Sequence, residues 1–146
     1  MVAVQQKVKY QLVKNEVYFL RLKLINQNKQ LVDQNFYWLS QPGKSYEKLN
    51  DLKLVSLKWE FKSNTAGEKI AVVSNTTNET AFFIRLKLVD AKSGELVLPV
   101  YFSDNYFTLL PGENREIGID LSLLPKNIDQ KLVTLGIEGW NVIKDK

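Results

Sequence analysis

The chain has 146 residues, 45% of them hydrophobic and 25% charged, which is the size and composition of one ordinary globular domain. It contains no cysteine and no histidine, so disulfides, thiolate nucleophiles, Ser-His-Asp or Cys-His catalysis and His- or Cys-ligated zinc are excluded. The formal charge of +4 comes from 20 basic residues interleaved with 16 acidic ones, the pattern of a solvated surface and not of a nucleic-acid patch.

The first residues, Met1-Val2-Ala3-Val4 followed by Gln5-Gln6-Lys7, lack the order of a secretory signal. If a larger parent is exported, its signal is expected upstream. No apolar run approaches the roughly 18 residues of a membrane span, so no membrane partner is expected. Residues 1–48 predict three strands, at 6–13, 17–25 and 30–39, and then a polar segment from Ser40 to Lys48. Tyr18-Phe19-Leu20-Arg21-Leu22-Lys23-Leu24 alternates with period two, as a strand with one buried and one wet face does. Three strands alone rarely bury enough to be stable. They are expected either to pack on the domain C-terminal to them or to be the last strands of a preceding, truncated sandwich. Their unpaired edges would then favour self-association.

From residue 49 the pattern changes to a regular series of short strands, predicted at 53–61, 69–75, 80–89, 95–102, 105–110, 114–121 and 131–138. Val55, Leu57, Trp59 and Phe61 share one face of the first; Ser56, Lys58 and Glu60 share the other. Ile84-Arg85-Leu86-Lys87-Leu88 and Ile117-Gly118-Ile119-Asp120-Leu121 alternate in the same way. Turn signals separate the runs, among them Asn64-Thr65-Ala66-Gly67, Ser93-Gly94 and Pro111-Gly112. No long window has helical spacing, although 121–129 predicts one short helical turn stopped by Pro125. Seven strands in about 95 residues predict an all-β, immunoglobulin-like β-sandwich over 49–146. Trp59 is placed in its core.

The two parts share an ordered series of segments. Phe19-Leu20-Arg21-Leu22-Lys23-Leu24-Ile25 matches Phe83-Ile84-Arg85-Leu86-Lys87-Leu88-Val89. Each is followed by a polar turn, then Leu31-Val32 or Leu96-Val97, then Asn35-Phe36-Tyr37 or Asn105-Tyr106-Phe107. The common order predicts two related sandwich units in tandem.

Asp33-Gln34-Asn35-Phe36-Tyr37-Trp38-Leu39-Ser40 resembles the end of the penultimate sandwich in family 2 glycoside hydrolases of the β-mannosidase and exo-β-glucosaminidase type. Ala81-Phe82-Phe83-Ile84-Arg85-Leu86, Val97-Leu98-Pro99-Val100, Ser103-Asp104-Asn105-Tyr106-Phe107 and Leu109-Leu110-Pro111-Gly112-Glu113 are similar to the last Ig-like domain of that group. Gly136-Ile137-Glu138-Gly139-Trp140-Asn141 resembles its closing strand. The resemblance covers nearly the whole chain. It implies a large, exported glycosidase with a jelly roll, sandwiches and a TIM barrel that carries two catalytic glutamates. None of that barrel is in this sequence, so no catalytic residue carries over. The implied role is that of a non-catalytic C-terminal accessory domain whose partners are the catalytic barrel and the neighbouring sandwich.

Retaining glycosidases hold two carboxyls about 5–5.5 Å apart and inverting ones roughly 6.5–9.5 Å. Here the acids fall in turns (Asp90, Glu95, Asp104, Glu113) or on outward strand positions (Glu60, Asp120, Glu138), where solvated surface is the expectation. No Asp-rich calcium loop occurs, and no cofactor or metal is expected. The aromatics Tyr37, Trp38, Tyr101, Tyr106 and Trp140 are the candidates for stacking on a sugar ring or for contact between domains, with packing the favoured reading. They keep open an alternative, a carbohydrate-binding module with glycan as a further partner. A generic protein-interaction sandwich is the other. The outward pairs Arg21 with Lys23 and Arg85 with Lys87 are read as solubilising. Asn75-Thr76-Thr77 and Asn78-Glu79-Thr80 are glycosylation-type triplets that mark an exposed loop.

Overall fold

The computed structural model describes residues 16–144 except 41, 42, 44 and 67. The chain divides into two compact units, Met1–Asp51 and Leu52–Lys146. In the first, β1 (Tyr18–Ile25) and β2 (Leu31–Leu39) form an antiparallel hairpin. Asn26 closes its turn: its side-chain Oδ1 accepts from the backbone N–H of Asn28 (3.0 Å) and of Gln30 (2.9 Å), and Lys29 takes a left-handed φ of 61°. The strand predicted at 6–13 lies outside the described residues. Glu47–Asp51 form a 3-10 turn that the sequence periodicity does not indicate.

Alternation in β1 is real, yet its aliphatic face is exposed among the described residues. Leu20, Leu22 and Leu24 are 36%, 50% and 61% exposed. The expectation of a buried face therefore fails here. A pleat sorts side chains to two faces, but burying one of them takes a second layer.

The second unit is all-β and holds seven strands, β3 (Lys58–Ser63), β4 (Lys69–Ser74), β5 (Ala81–Asp90), β6 (Tyr101–Phe102), β7 (Phe107–Leu109), β8 (Asn114–Asp120) and β9 (Val133–Glu138). They form two antiparallel sheets, ordered β3-β4-β8-β6 and β7-β5-β9. Both sheets send their inward residues into one core that includes Ala71, Val73 and Ile117 from the first and Ile84, Leu86, Leu88 and Leu135 from the second. Trp59 and Phe61 pack against that core while partly buried. The turn joining β3 and β4 repeats the hairpin's chemistry: Asn64 Oδ1 accepts from the N–H of Ala66 (3.0 Å) and of Glu68 (2.9 Å).

Asparagine amides extend the sheets where strands end. Asn141 donates to the carbonyls of Lys53 (2.7 Å) and Thr80 (2.8 Å) and accepts from the Phe82 N–H (2.9 Å). It thereby fixes the parallel bridge of Val55 with Val142. Asn105 accepts from the Leu86 N–H (2.8 Å) and donates to the Leu86 carbonyl (3.1 Å), as a strand neighbour would. Every buried polar side-chain atom among the described residues has a partner, as a closed core requires.

Three predicted strands shrink. The one at 53–61 begins only at Lys58, with a single bridge from Val55 to Val142 before it. The one at 95–102 reduces to Tyr101–Phe102 plus a single bridge from Leu96 to Val89, and Pro99 has no N–H to give a ladder. The one at 105–110 reduces to Phe107–Leu109, because Tyr106 takes a left-handed φ of 57°. The helical turn predicted over 121–129 resolves into two separate turns, closed by Leu124 N–H to Leu121 O and Ile128 N–H to Pro125 O.

Candidate functional site

The five candidate aromatics are all 40–61% exposed, and they are divided between the two units. Tyr37 and Trp38 belong to the first unit. Tyr37 pairs with Leu20 and Trp38 with Phe19, so they stand on opposite faces of the hairpin.

In the second unit, Tyr106 packs on Phe83 with ring centroids 5.1 Å apart, and the Arg85 guanidinium lies 6.0 Å from the Tyr106 ring. Phe83 also has a left-handed φ, 56°, inside a bulge where Ala81 pairs with Leu109 and Ile84 with Phe107. The bulge resets the pleat so that both Ala81 and Ile84 point into the core. The same constellation occurs in the hairpin: Phe19 and Phe36 are 5.4 Å apart, and Arg21 lies 5.8 Å from the Phe36 ring. Those residues occupy the matching places of the internal repeat. An arrangement that recurs at matching positions in both units reads as part of the fold. Trp140 meets the buried Phe82 edge-on at 6.4 Å.

Next to this cluster the two outward cations of β5 converge on one acid. Arg85 Nη1 and Lys87 Nζ reach the two oxygens of Glu138 at 2.9 and 2.7 Å. The hydrogen bond from Lys87, helped by Arg85, holds the Glu138 carboxyl below its ordinary range against the opposing effect of burial. Glu60 moves down through its bond to Lys62. Asp90 moves down through the N–H groups of Ser93 and Lys92, and Asp120 through the N–H of Ser122. These shifts all run opposite to the rise a general acid needs. Among the described residues no group of three or more acids is placed to hold a metal ion.

Tyr101 stands apart from the other aromatics. It lines an open cleft of about 690 Å³ together with Glu68, Ser103, Asp120, Ser122 and Gln130. By sequence alone Asp120 reads as solvated surface, Ser103 opens a motif shared with the last Ig-like domain of the resembling group, and Glu68, Ser122 and Gln130 carry no signal. Only the pairing of β6 with β8, and of β8 with β4, brings them together, and no local signal marks such pairing.

The two glycosylation-type triplets also separate. Asn75 is fully buried, donating to the carbonyls of Glu79 (2.7 Å) and Leu109 (3.0 Å) and accepting from Thr77. Asn78 is exposed. The exposed-loop expectation is therefore corrected for Asn75, whose amide the fold uses internally.

No helix among the described residues is long and apolar enough to cross a membrane. The chain is 35% identical over 147 residues to an exo-β-D-glucosaminidase of Arthroderma benhamiae, covering 88% of this chain and 16% of that protein. It is 27% identical to a mannosylglycoprotein endo-β-mannosidase of Lilium longiflorum, covering 85% of this chain and 13% of that protein. Among solved structures, it resembles an exo-β-D-glucosaminidase with a TM-score of 0.63 at 25% identity, over 88% of this chain and 18% of that one. An exo-chitosanase of Amycolatopsis orientalis has the same fold, with a TM-score of 0.60 at 24% identity, over 86% of this chain and 17% of that one. The chain thus spans less than a fifth of each of these relatives. Residues 35–142 match the Ig-fold domain of exo-β-D-glucosaminidases, and the chain belongs to that family.

Proposed function

We propose that this chain is a non-catalytic accessory region of a larger β-glycosidase, packing against the catalytic barrel and a neighbouring sandwich of its parent. The observation that carries the reading is the family match, joined to the small share of each glycosidase relative that the chain spans. The carboxyl shifts agree with it, since Glu60, Asp90, Asp120 and Glu138 all move down, away from the raised range of a general acid. The family match favours a parent that acts on β-linked glucosaminides over a β-mannosidase. Such a parent meets polymeric glycan outside the cytoplasm, in the periplasm or beyond it.

The hairpin belongs in this reading to a preceding sandwich whose other strands lie elsewhere in the parent. Its open row of Leu20, Leu22 and Leu24 is the surface those strands cover. The test is direct. Pure protein incubated with an aryl β-D-glucosaminide and an aryl β-D-mannoside should release no aryl alcohol. Turnover that persists through repeated purification overturns the reading.

A further inference from the structure

We infer that the cleft beside Tyr101 binds a chain of protonated amino sugars. This deepens the proposed function and rests on the reading of the parent as a glucosaminide-acting enzyme.

The register sets up the site. Tyr101 on β6 pairs directly with Asp120 on β8, and Ile119 of β8 pairs with Lys69 of β4. Antiparallel pairing then places Glu68, one residue before β4, opposite Asp120. Ile119 points into the core, so Glu68, Asp120 and Tyr101 form a row across the outer face, spaced by strand separations of ~4.8 Å. The row lines the cleft of about 690 Å³, a size that small ligands occupy.

The chemistry of the row is one aromatic and two carboxylates. Tyr101 is 61% exposed and offers an apolar ring to the apolar face of a sugar. One Asp120 oxygen accepts the Ser122 N–H at 2.8 Å, and one Glu68 oxygen accepts from the Asn64 amide at 2.8 Å. Each carboxylate is thus oriented by a neutral donor, and neither is ion-paired among the described residues.

Lys69 also lines the cleft. Its ammonium, however, donates to Ser63 Oγ at 3.1 Å and lies 5.9 Å from the Phe61 ring, two residues outside the lining. Negative charge therefore dominates where a ligand would sit. Ser103 Oγ accepts the Gly118 N–H at 2.8 Å, which leaves its own hydrogen to donate to a sugar hydroxyl. A cationic amine between two oriented carboxylates, with its ring face on a tyrosine, satisfies every group in the row.

The experiment is a titration of the isotope-labelled 146-residue chain, followed by amide shifts, with three oligosaccharides of equal length: glucosamine oligomers, their N-acetylated counterparts and manno-oligosaccharides. The expected result is shifts centred on Tyr101, Asp120 and Glu68 with the glucosamine oligomer. Affinity should be lower for both neutral sugars and should fall as salt is added. Asp120→Asn should weaken binding about tenfold or more, and Tyr101→Ala roughly five- to tenfold. Both side chains are exposed, so an unchanged unfolding midpoint should accompany both losses. Equal binding of neutral oligomers, shifts elsewhere, or no shifts overturn the inference. Glucosaminide hydrolysis by the complete parent is read separately. If it is present while the cleft stays silent, the cleft alone is wrong. If it is absent, the reading of the parent is wrong.

Discussion

Leu22 in the hairpin and Leu86 in the sandwich occupy matching places in two nearly identical segments. Each lies between an arginine and a lysine, and each strand contributes a phenylalanine to an aromatic pair, Phe19 with Phe36 and Phe83 with Tyr106, that has a guanidinium over its second ring. Yet Leu22 is 50% exposed and Leu86 is 1% exposed. β5 has β7 on one side, β9 on the other and a second sheet's residues in the same core. β1 has only β2 among the described residues. Period-two patterning thus encodes a strand with an apolar face, and the number of layers decides whether that face is buried.

Truncating the two leucines is the strongest way to break the comparison. Leu86→Ala should cost about 2–5 kcal/mol of unfolding free energy, through lost transfer energy and a cavity. Leu22→Ala should stay within ~0.5 kcal/mol, as exposed substitutions do. Urea denaturation of both variants reads this directly, and comparable losses would mean that the hairpin face is covered in solution. A smaller contrast separates the paired asparagines. Asn105→Ala strips the Leu86 N–H and carbonyl of their partner and should cost about 1–3 kcal/mol. Asn35 faces Leu22 by strand pairing, so Asn35→Ala should leave the midpoint nearly unchanged.

The charge on the outer face gives a finer effect. Glu138 has a depressed carboxyl, so its contribution is present above the unfolded-state value of about 4.3 and lost as pH falls through the lower folded value. Its side chain is partly solvated, which limits the effect to about 1 kcal/mol or less. Stability profiles of the natural chain and Glu138→Gln should converge below about pH 4 and separate above it. Profiles that stay parallel throughout would contradict the assignment. Modification is the mildest probe. In a eukaryotic secretory host, mass spectrometry of glycopeptides should find glycan on Asn78 and none on Asn75, whose amide is fully used. Occupancy at Asn75 would mean that glycan is attached before the fold closes over this amide and that the closed arrangement is then not formed.

Much of the sandwich is legible in the sequence because its strands are amphipathic and its turns carry their own chemistry. Val55 and Leu57 are buried, with Ser56, Lys58 and Glu60 exposed, as the alternation predicts. What is not legible depends on distant partners. Phe83 and Tyr106 adopt left-handed backbone without being glycine or asparagine, and only the bulge and the ring pair explain that. Asn105 is visible as a repeated residue, but its role as a surrogate strand partner needs Leu86 beside it. Tyr101 stands out as an aromatic, whereas its row with Asp120 and Glu68 arises from pairing between three strands. The openness of β1 is invisible because a sequence pattern does not state which layer will cover it.

The most direct test is native-state hydrogen exchange, amide by amide, on the whole chain. Amides in the β5–β9 ladder should exchange only through global unfolding of the sandwich. Those in the β1–β2 ladder should exchange through far cheaper local opening, because an uncovered hairpin is marginal in water. Equal protection of both ladders in a monomeric protein would contradict this, and would show that the hairpin needs no neighbouring domain to hold it.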